Sequence, residues 1–400
     1  MSSEHPPLIR TRLSIAYLLQ FAVWGSWGVL LFGYVAKSSF NFAGWQIGLF
    51  GSAIPLGAII SPLFIGPIAD KYFSAQKVIS VLHLLSGICL IALGFVESFW
   101  LMAILLLLFG ICYMPTLALI NSVVFKHIPN PDNAPRVFVF GTIGWIVVNV
   151  FISAHLGGAE TPNFLFTGGI LAITLALYSL TLPDTPPQGA DTGGAPFGLD
   201  ALKLFSDASF TIFIVCAFLV SIPACGYFFC FQVPILKERG FAFPGGLATL
   251  CQFSELFFMA ALPFFVKRTG LKVVLTLGMV AWGVRYLFFL SGNLGLVVIA
   301  LFLHGFCYSF LYVGAYMYAD KKAPPELKAS VQSLVTFLLL GVGMLLGAQL
   351  YGQLSDRNPP AFGGMEVGGE TVALPDWNDP AAAASNVRYL NPTVTYKAIL

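Results

Sequence analysis

The feature that most constrains this chain is the recurrence of apolar runs as long as a bilayer core is thick. A helix rises about 1.5 Å per residue, so about 20 apolar residues cross roughly 30 Å of hydrocarbon. By that rule the sequence holds spans at 13–36, 44–67, 78–96, 99–125, 137–157, 163–182, 209–236, 244–266, 272–291, 295–318 and 329–352. Inside lipid the backbone must satisfy its own hydrogen bonds, and segments of this length do so as helices. The expected fold is therefore an all-α polytopic membrane protein with eleven visible spans. Composition agrees: 58% of residues are hydrophobic and 10% charged, against roughly 25% charged in a soluble domain.

One acid lies inside these runs. The segment Leu247-Ala248-Thr249-Leu250-Cys251-Gln252-Phe253-Ser254-Glu255-Leu256-Phe257-Phe258-Met259 places Glu255 in the eighth span. A carboxylate at mid-bilayer costs about 2.5–3.5 kcal/mol on insertion scales unless it faces a cavity or a partner. Glu255 is thus a functional-site candidate, and helical spacing puts Thr249 and Gln252 on its face. The alternative is a structural ion pair with Arg285, the single Lys or Arg within a span.

Basic residues orient the chain. With the N-terminus inside, thirteen Lys and Arg fall on the cytoplasmic side and three, Lys37, Lys237 and Arg239, in the outer loops. That is the asymmetry of the positive-inside rule. The N-terminus is expected in the cytoplasm, and Arg10 and Arg12 precede a span too long for a signal peptide. Net charge is +2, with basic residues scattered, so no nucleic-acid partner is expected. The seven cysteines lie in apolar runs without CxxC spacing and read as small packing residues, with no metal site or cofactor implied.

Residues 183–208, with Pro183, Pro186, Pro187 and a Gly-rich run, divide six spans from five. The expected organisation is an N-terminal six-helix bundle over 1–182, a cytoplasmic linker over 183–208, a C-terminal bundle over 209–352 and a polar outer-side tail or loop over 353–400. Within the linker, 198–205 reads as a short helix at the inner surface. Six plus five is uneven for a fold of two similar halves. A twelfth helix starting near Lys397-Ala398-Ile399-Leu400 is therefore expected beyond Leu400, since a bundle lacking one helix exposes a face meant to be packed.

Gly66-Pro67-Ile68-Ala69-Asp70-Lys71, between the second and third spans, resembles the inner-loop signature of the major facilitator superfamily, where Asp70 and Lys71 would latch helices in one transport state. The likeness sharpens elsewhere. Leu19-Gln20-Phe21-Ala22-Val23-Trp24-Gly25-Ser26-Trp27, Tyr113-Met114-Pro115-Thr116, Gly141-Thr142-Ile143-Gly144-Trp145, Gln252-Phe253-Ser254-Glu255, Pro263-Phe264-Phe265, Arg285-Tyr286, His304-Gly305 and Asp320-Lys321-Lys322-Ala323-Pro324 together resemble the bacterial nucleoside:proton symporter family. That resemblance implies a two-bundle fold of twelve helices, alternating access, and proton-coupled uptake of nucleosides across the inner membrane. Two positions depart from it. An arginine usual before the Gly-Thr of the fifth span is Phe138 here, and an aspartate usual in the tenth span is Ser309. A basic and an acidic position are lost together, as expected of partners. The resemblance therefore does not carry coupling by that pair onto this chain.

A nucleoside needs flat aromatic surface for its base and fixed donors and acceptors for its ribose and base edge. Trp145 and Tyr308 can supply the first; Gln252, Glu255, Thr142 and Asn121 the second. Phe138 shares the fifth-span face with Thr142 and Trp145, His304 shares the tenth-span face with Tyr308, and Gln20 joins from the first span. Aromatic faces at this spacing also arise from plain packing, and Thr142 between Gly141 and Gly144 also fits close helix contact. Glu255 is the proton-coupling candidate, and the expected protein is a lipid-embedded monomer. A facilitator, a carrier of sugars or another neutral solute, and a membrane receptor remain open. An intramembrane enzyme is disfavoured, because the chain has no HExxH, GxSxG or phosphate loop.

Overall fold

The computed structural model describes residues 6–37, 39–40, 42–128, 135–186, 196–241, 243–291, 293–324, 327, 331, 334–357, 365–367 and 370–372. Where they are described, the apolar runs become helices. In chain order they are α1 (Pro6–Trp27), α2 (Leu30–Val35), α3 (Gly44–Lys71), α4 (Ala75–Leu93), α5 (Phe99–His127), α6 (Pro135–His155), α7 (Asn163–Ser179), α8 (Ala208–Gly226), α9 (Gln232–Glu238), α10 (Pro244–Thr269), α11 (Leu271–Leu290), α12 (Leu294–Tyr308), α13 (Gly314–Lys322) and α14 (Gly343–Arg357). Several join into single spans: α1 with α2, α8 with α9, and α12 with α13. Among the described residues, ten helices are long and apolar enough to cross a membrane, and α7 is a shorter apolar helix of 17 residues. A short antiparallel pair, Met365–Val367 with Glu370–Val372, lies in the tail.

Local chemistry sets the boundaries. Asp207 caps α8 by accepting from the Ser209 and Phe210 N–H groups, and its carboxylate pairs with Lys322 at 2.6 Å. Asn293 caps α12 by accepting from Leu296 N–H. Gly270, at φ 82, adopts the left-handed turn that separates α10 from α11. The linker's expected short helix is a 3-10 segment over Pro196–Ser206.

Lipid gives helices no hydrophobic reason to associate, so small residues at the crossings matter. A Cβ on Gly25 would strike the backbone of Trp145, and one on Gly144 the Leu18 carbonyl, so α1 and α6 touch nearly backbone to backbone. Gly57 meets Gly110 between α3 and α5, and Gly226 meets Gly347 between α8 and α14.

The apolar packing divides by depth. One buried cluster joins helices from both sides of the linker, with Val35, Phe50 and Ile152 beside Phe231, Leu236 and Ala348. Two further clusters do not mix: Leu13, Tyr17, Ile79, Val124 and Val137 form one, and Phe210, Leu275, Leu311 and Ala319 the other. The joint cluster occupies the end where α2, α9 and α14 finish. Among the described residues, the helices before and after the linker therefore pack together at that end and separate toward the other.

Candidate functional site

The backbone is least regular in the middle of the bundle. α1 breaks at Gly28 and Val29 before α2 begins. Three π-helical segments interrupt other spans: Tyr227–Phe231 after α8, Ser309–Val313 after α12 and Phe337–Val342 before α14. Pro223, inside α8, has no N–H to donate to the Leu219 carbonyl one turn earlier. Gly28 and Val29, Phe228 and Phe229, Tyr312, and Leu340 all line one cavity. Irregular backbone at membrane depth is tolerated where it borders protein or water, and π-bulges often mark functional sites.

This cavity contains about 890 Å³ of empty space, including solvent at its mouth. Its walls come from α1 (Phe21, Trp24), α6 (Thr142, Trp145), α8 and its π segment (Cys225, Phe228, Phe229), α10 (Gln252, Glu255), α11 (Trp282) and α12 (His304, Tyr308). Trp24 stacks on Phe229 at 6.3 Å, carrying aromatic surface from one side of the linker to the other.

The polar groups concentrate on α10 and α12. His304 Nε2 lies 3.1 Å from Glu255 Oε1. The imidazole stacks on Phe228 at 4.3 Å and 10°, with Trp282 edge-on at 5.5 Å. The neighbouring residues hold the two helices together: Gly305 N–H donates to Ser254 Oγ at 2.8 Å, and a Cβ on Gly305 would collide with the Ser254 backbone. Three buried polar atoms of the cavity wall have no partner, namely Gln252 Oε1, His304 Nδ1 and Trp282 Nε1. Such atoms are costly unless a ligand or water satisfies them.

Six of the residues singled out from sequence thus meet at one cavity: Gln252, Glu255, Thr142, Trp145, Tyr308 and His304. Three do not line it. Gln20 is fully buried with both ends of its amide engaged, accepting from His83 Nε2 at 2.8 Å and donating to Thr116 Oγ1 at 2.9 Å. Asn121 accepts from Tyr17 OH at 3.1 Å, and Phe138 packs on Tyr17 at 4.8 Å and on Phe125 at 5.7 Å. Sequence periodicity gave each a face but not the depth at which that face meets a neighbouring helix. Thr249, expected on the Glu255 face, does not line the cavity; it is buried with its hydroxyl bonded to the Gly246 carbonyl. The Gly141 motif faces two ways: Gly141 and Gly144 abut α1, while Thr142 and Trp145 line the cavity.

Arg285 needs correction. Instead of an ion pair with Glu255, the fully buried guanidinium donates to Gln232 Oε1 at 2.7 Å and the Ala300 carbonyl at 3.0 Å. It lies 5.5, 5.1 and 5.2 Å from the Tyr227, Trp282 and Phe289 rings. Aromatic faces and neutral acceptors stabilise this cation. Asp70 and Lys71 end α3, and their side chains lie outside the described residues. Phe228, Phe229 and Trp282 were missed because, in a chain with 15% aromatic residues, nothing marks these few.

A model of the family described as "Nucleoside H+ symporter" matches residues 8–360. Among curated proteins, the putative nucleoside transporter YegT of Escherichia coli is 39% identical over 362 residues, covering 86% of this chain and 84% of the relative. Xanthosine permease of E. coli is 30% identical over 376 residues, covering 87% and 88%. Among solved structures, the crystal structure of nucleoside transporter NupG superposes with TM-score 0.78 at 26% identity, over 98% of each chain. A bacterial homologue of the lysosomal transporter Spinster shares the fold at TM-score 0.67 and 17% identity.

Proposed function

The chain belongs to the nucleoside H+ symporter family and is a nucleoside transporter, and from that premise we propose that the cavity bounded by α1, α6, α8, α10 and α12 is where it holds its substrate. The carrying observation is Gln252 Oε1, a buried acceptor without a partner, one helical turn from Glu255 on a wall otherwise rich in aromatic rings. A nucleoside supplies what such a wall lacks. Its hydroxyl and N–H donors satisfy Gln252 and Glu255, and its base offers a π-face to Trp145, Phe228 or Tyr308. Thr142 adds a hydroxyl from α6.

In this reading 1–182 and 209–352 are two bundles that rock about the site, with 183–208 as the connecting linker. The protein works as a monomer in the inner membrane with its N-terminus in the cytoplasm. The end where the bundles pack together then faces outward, and the cavity is reached from inside. Proton symport follows the family, with Glu255 as the coupling acid.

Uptake by Glu255→Gln tests the proposal. The variant keeps size and inserts, but loses pH-dependent nucleoside accumulation; normal pH-dependent uptake would remove Glu255 from the site. Thermal-shift measurements against a nucleoside panel, with hexoses as the competing class, test the cargo: ligands of the folded state raise its melting temperature.

A further inference from the structure

Glu255 is not alone. Of the residues lining the cavity, Glu255 and His304 are the two whose ordinary pKa values fall between about 4 and 7. They come from different helices and touch at 3.1 Å. Ser254 and Gly305, each adjacent to one partner, fix that contact through a hydrogen bond and a crossing too tight for a Cβ. The two positions where the family resemblance leads one to expect a charged pair are neutral here: Phe138 packs on Tyr17, and Ser309 is buried with its Oγ unpartnered.

Resting on the reading of Glu255 as the coupling acid, we propose that Glu255 and His304 form one proton-carrying couple, and that His304 is a required partner in proton-driven accumulation. A proton from the outer aqueous side adds at the open Nδ1 of His304, giving an imidazolium paired with the Glu255 carboxylate. Passing the Nε2 proton across the 3.1 Å contact gives the equivalent form, a carboxylic acid hydrogen-bonded to Nε2. Either way the couple is neutral as a whole. On the inner side the bridging proton returns to Nε2, the Nδ1 proton leaves, and the carboxylate again accepts from the neutral Nε2–H. A lone carboxylate would alternate between a solvated and a stranded charge; the imidazole gives it a charge-assisted hydrogen bond in the deprotonated state.

The surroundings suit this use. His304 Nδ1 has no partner, so no second hydrogen bond holds the ring in one protonation state. The Arg285 guanidinium lies over the Trp282 ring at 5.1 Å, and that ring is itself 5.5 Å from His304. With Gln232 and a carbonyl as its polar partners, that guanidinium leaves a positive charge to offset the couple when its proton has gone. The other titratable groups facing the pair are Cys251 on α10 and Tyr308 on α12, with Cys225 and Tyr312 lining the same cavity. All of these are thiols or phenols, which ordinarily stay neutral in the working pH range.

The test uses the full chain in proteoliposomes, comparing wild type with His304→Gln, and with His304→Asn should the first variant fail to insert. Uridine counterflow at equal pH on both sides reads binding and alternation; uridine accumulation under an inward proton gradient, with an internal pH dye, reads coupling. Wild type should show both. In the variant the ratio of accumulation to counterflow is expected to fall by about tenfold or more and the dye signal to disappear, whatever change in counterflow the altered cavity wall brings; an equal fall in both, with proton entry per uridine unchanged, overturns the couple. Retained accumulation and proton entry in the variant overturn the couple but leave the nucleoside reading intact. Wild type that exchanges uridine without proton entry does the same. Wild type that exchanges no nucleoside at all overturns both.

Discussion

At the residue scale the site depends on one crossing. Gly305 and Ser254 bring α12 and α10 close enough for His304 to reach Glu255. Gly305→Ala would press a methyl group into backbone atoms of Ser254 and Glu255, which cannot rotate away as a side chain can. Overpacking of this kind costs about 1–3 kcal/mol, so a lower melting temperature is expected together with weakened nucleoside binding. Gln20 gives the contrasting case. It completes a hydrogen-bonded chain with His83 and Thr116 away from the cavity. Gln20→Ala should cost about 1–3 kcal/mol of stability through the partners it orphans. In purified protein, ligand selectivity in a thermal-shift panel should stay unchanged; altered selectivity would bring Gln20 into the site.

At the element scale, the irregular segments and the small-residue seams have opposite effects. The break in α1 and the three π segments interrupt the helical ladder where the spans border the cavity. The seams, in contrast, hold spans at fixed distance. Between α3 and α14, a Cβ on Gly48 would lie 2.7 Å from the Ala348 carbonyl and 3.2 Å from Gly352 Cα. This seam joins helices from either side of the linker. Gly48→Leu should therefore prevent closure at this end. Cys230, fully buried beside Gly51, then becomes available to a membrane-impermeant maleimide, read by mass spectrometry. An unlabelled Cys230 in a folded variant would show that the seam does not control closure.

At the scale of the whole molecule, polar links also span the closed end. Glu160, beside the start of α7, pairs with Lys237 at the end of α9 and with Lys37 after α2. Asp356 at the end of α14 accepts from the Gly44 and Trp45 N–H groups that open α3, at 2.5 and 2.8 Å. Burial raises the Glu160 pKa, but hydrogen bonding from Lys237 and the charges of both lysines outweigh it, and the carboxyl ends below its usual range. A depressed pKa fixes the sign: the link is fully present above the ordinary glutamate value and is lost as pH falls through the lowered one. Half-exposed pairs contribute about 0.2–1 kcal/mol, which bounds the effect. Glu160→Gln should raise the open population of this end by about fivefold at most, seen as faster labelling of Cys230 at neutral pH. The variant should also lose the acid-induced increase that wild type shows below the ordinary glutamate range.

The sequence by itself determined the class of fold, because the length of an apolar run and the need to satisfy backbone hydrogen bonds in lipid act locally. It also marked Glu255 and Gln252, since a polar group inside such a run has few uses. Which partner Glu255 takes was decided only in three dimensions. Arg285 and His304 are both on apolar helices after it, and spacing along the chain gives no reason to prefer one. The Ser254–Gly305 crossing brings His304 within reach, while Gln232 and three aromatic rings draw Arg285 away. The same reason separates Gln20, Asn121 and Phe138 from the cavity: periodicity assigns a helix face, but only the packing of neighbouring spans decides whether that face meets open space or another side chain.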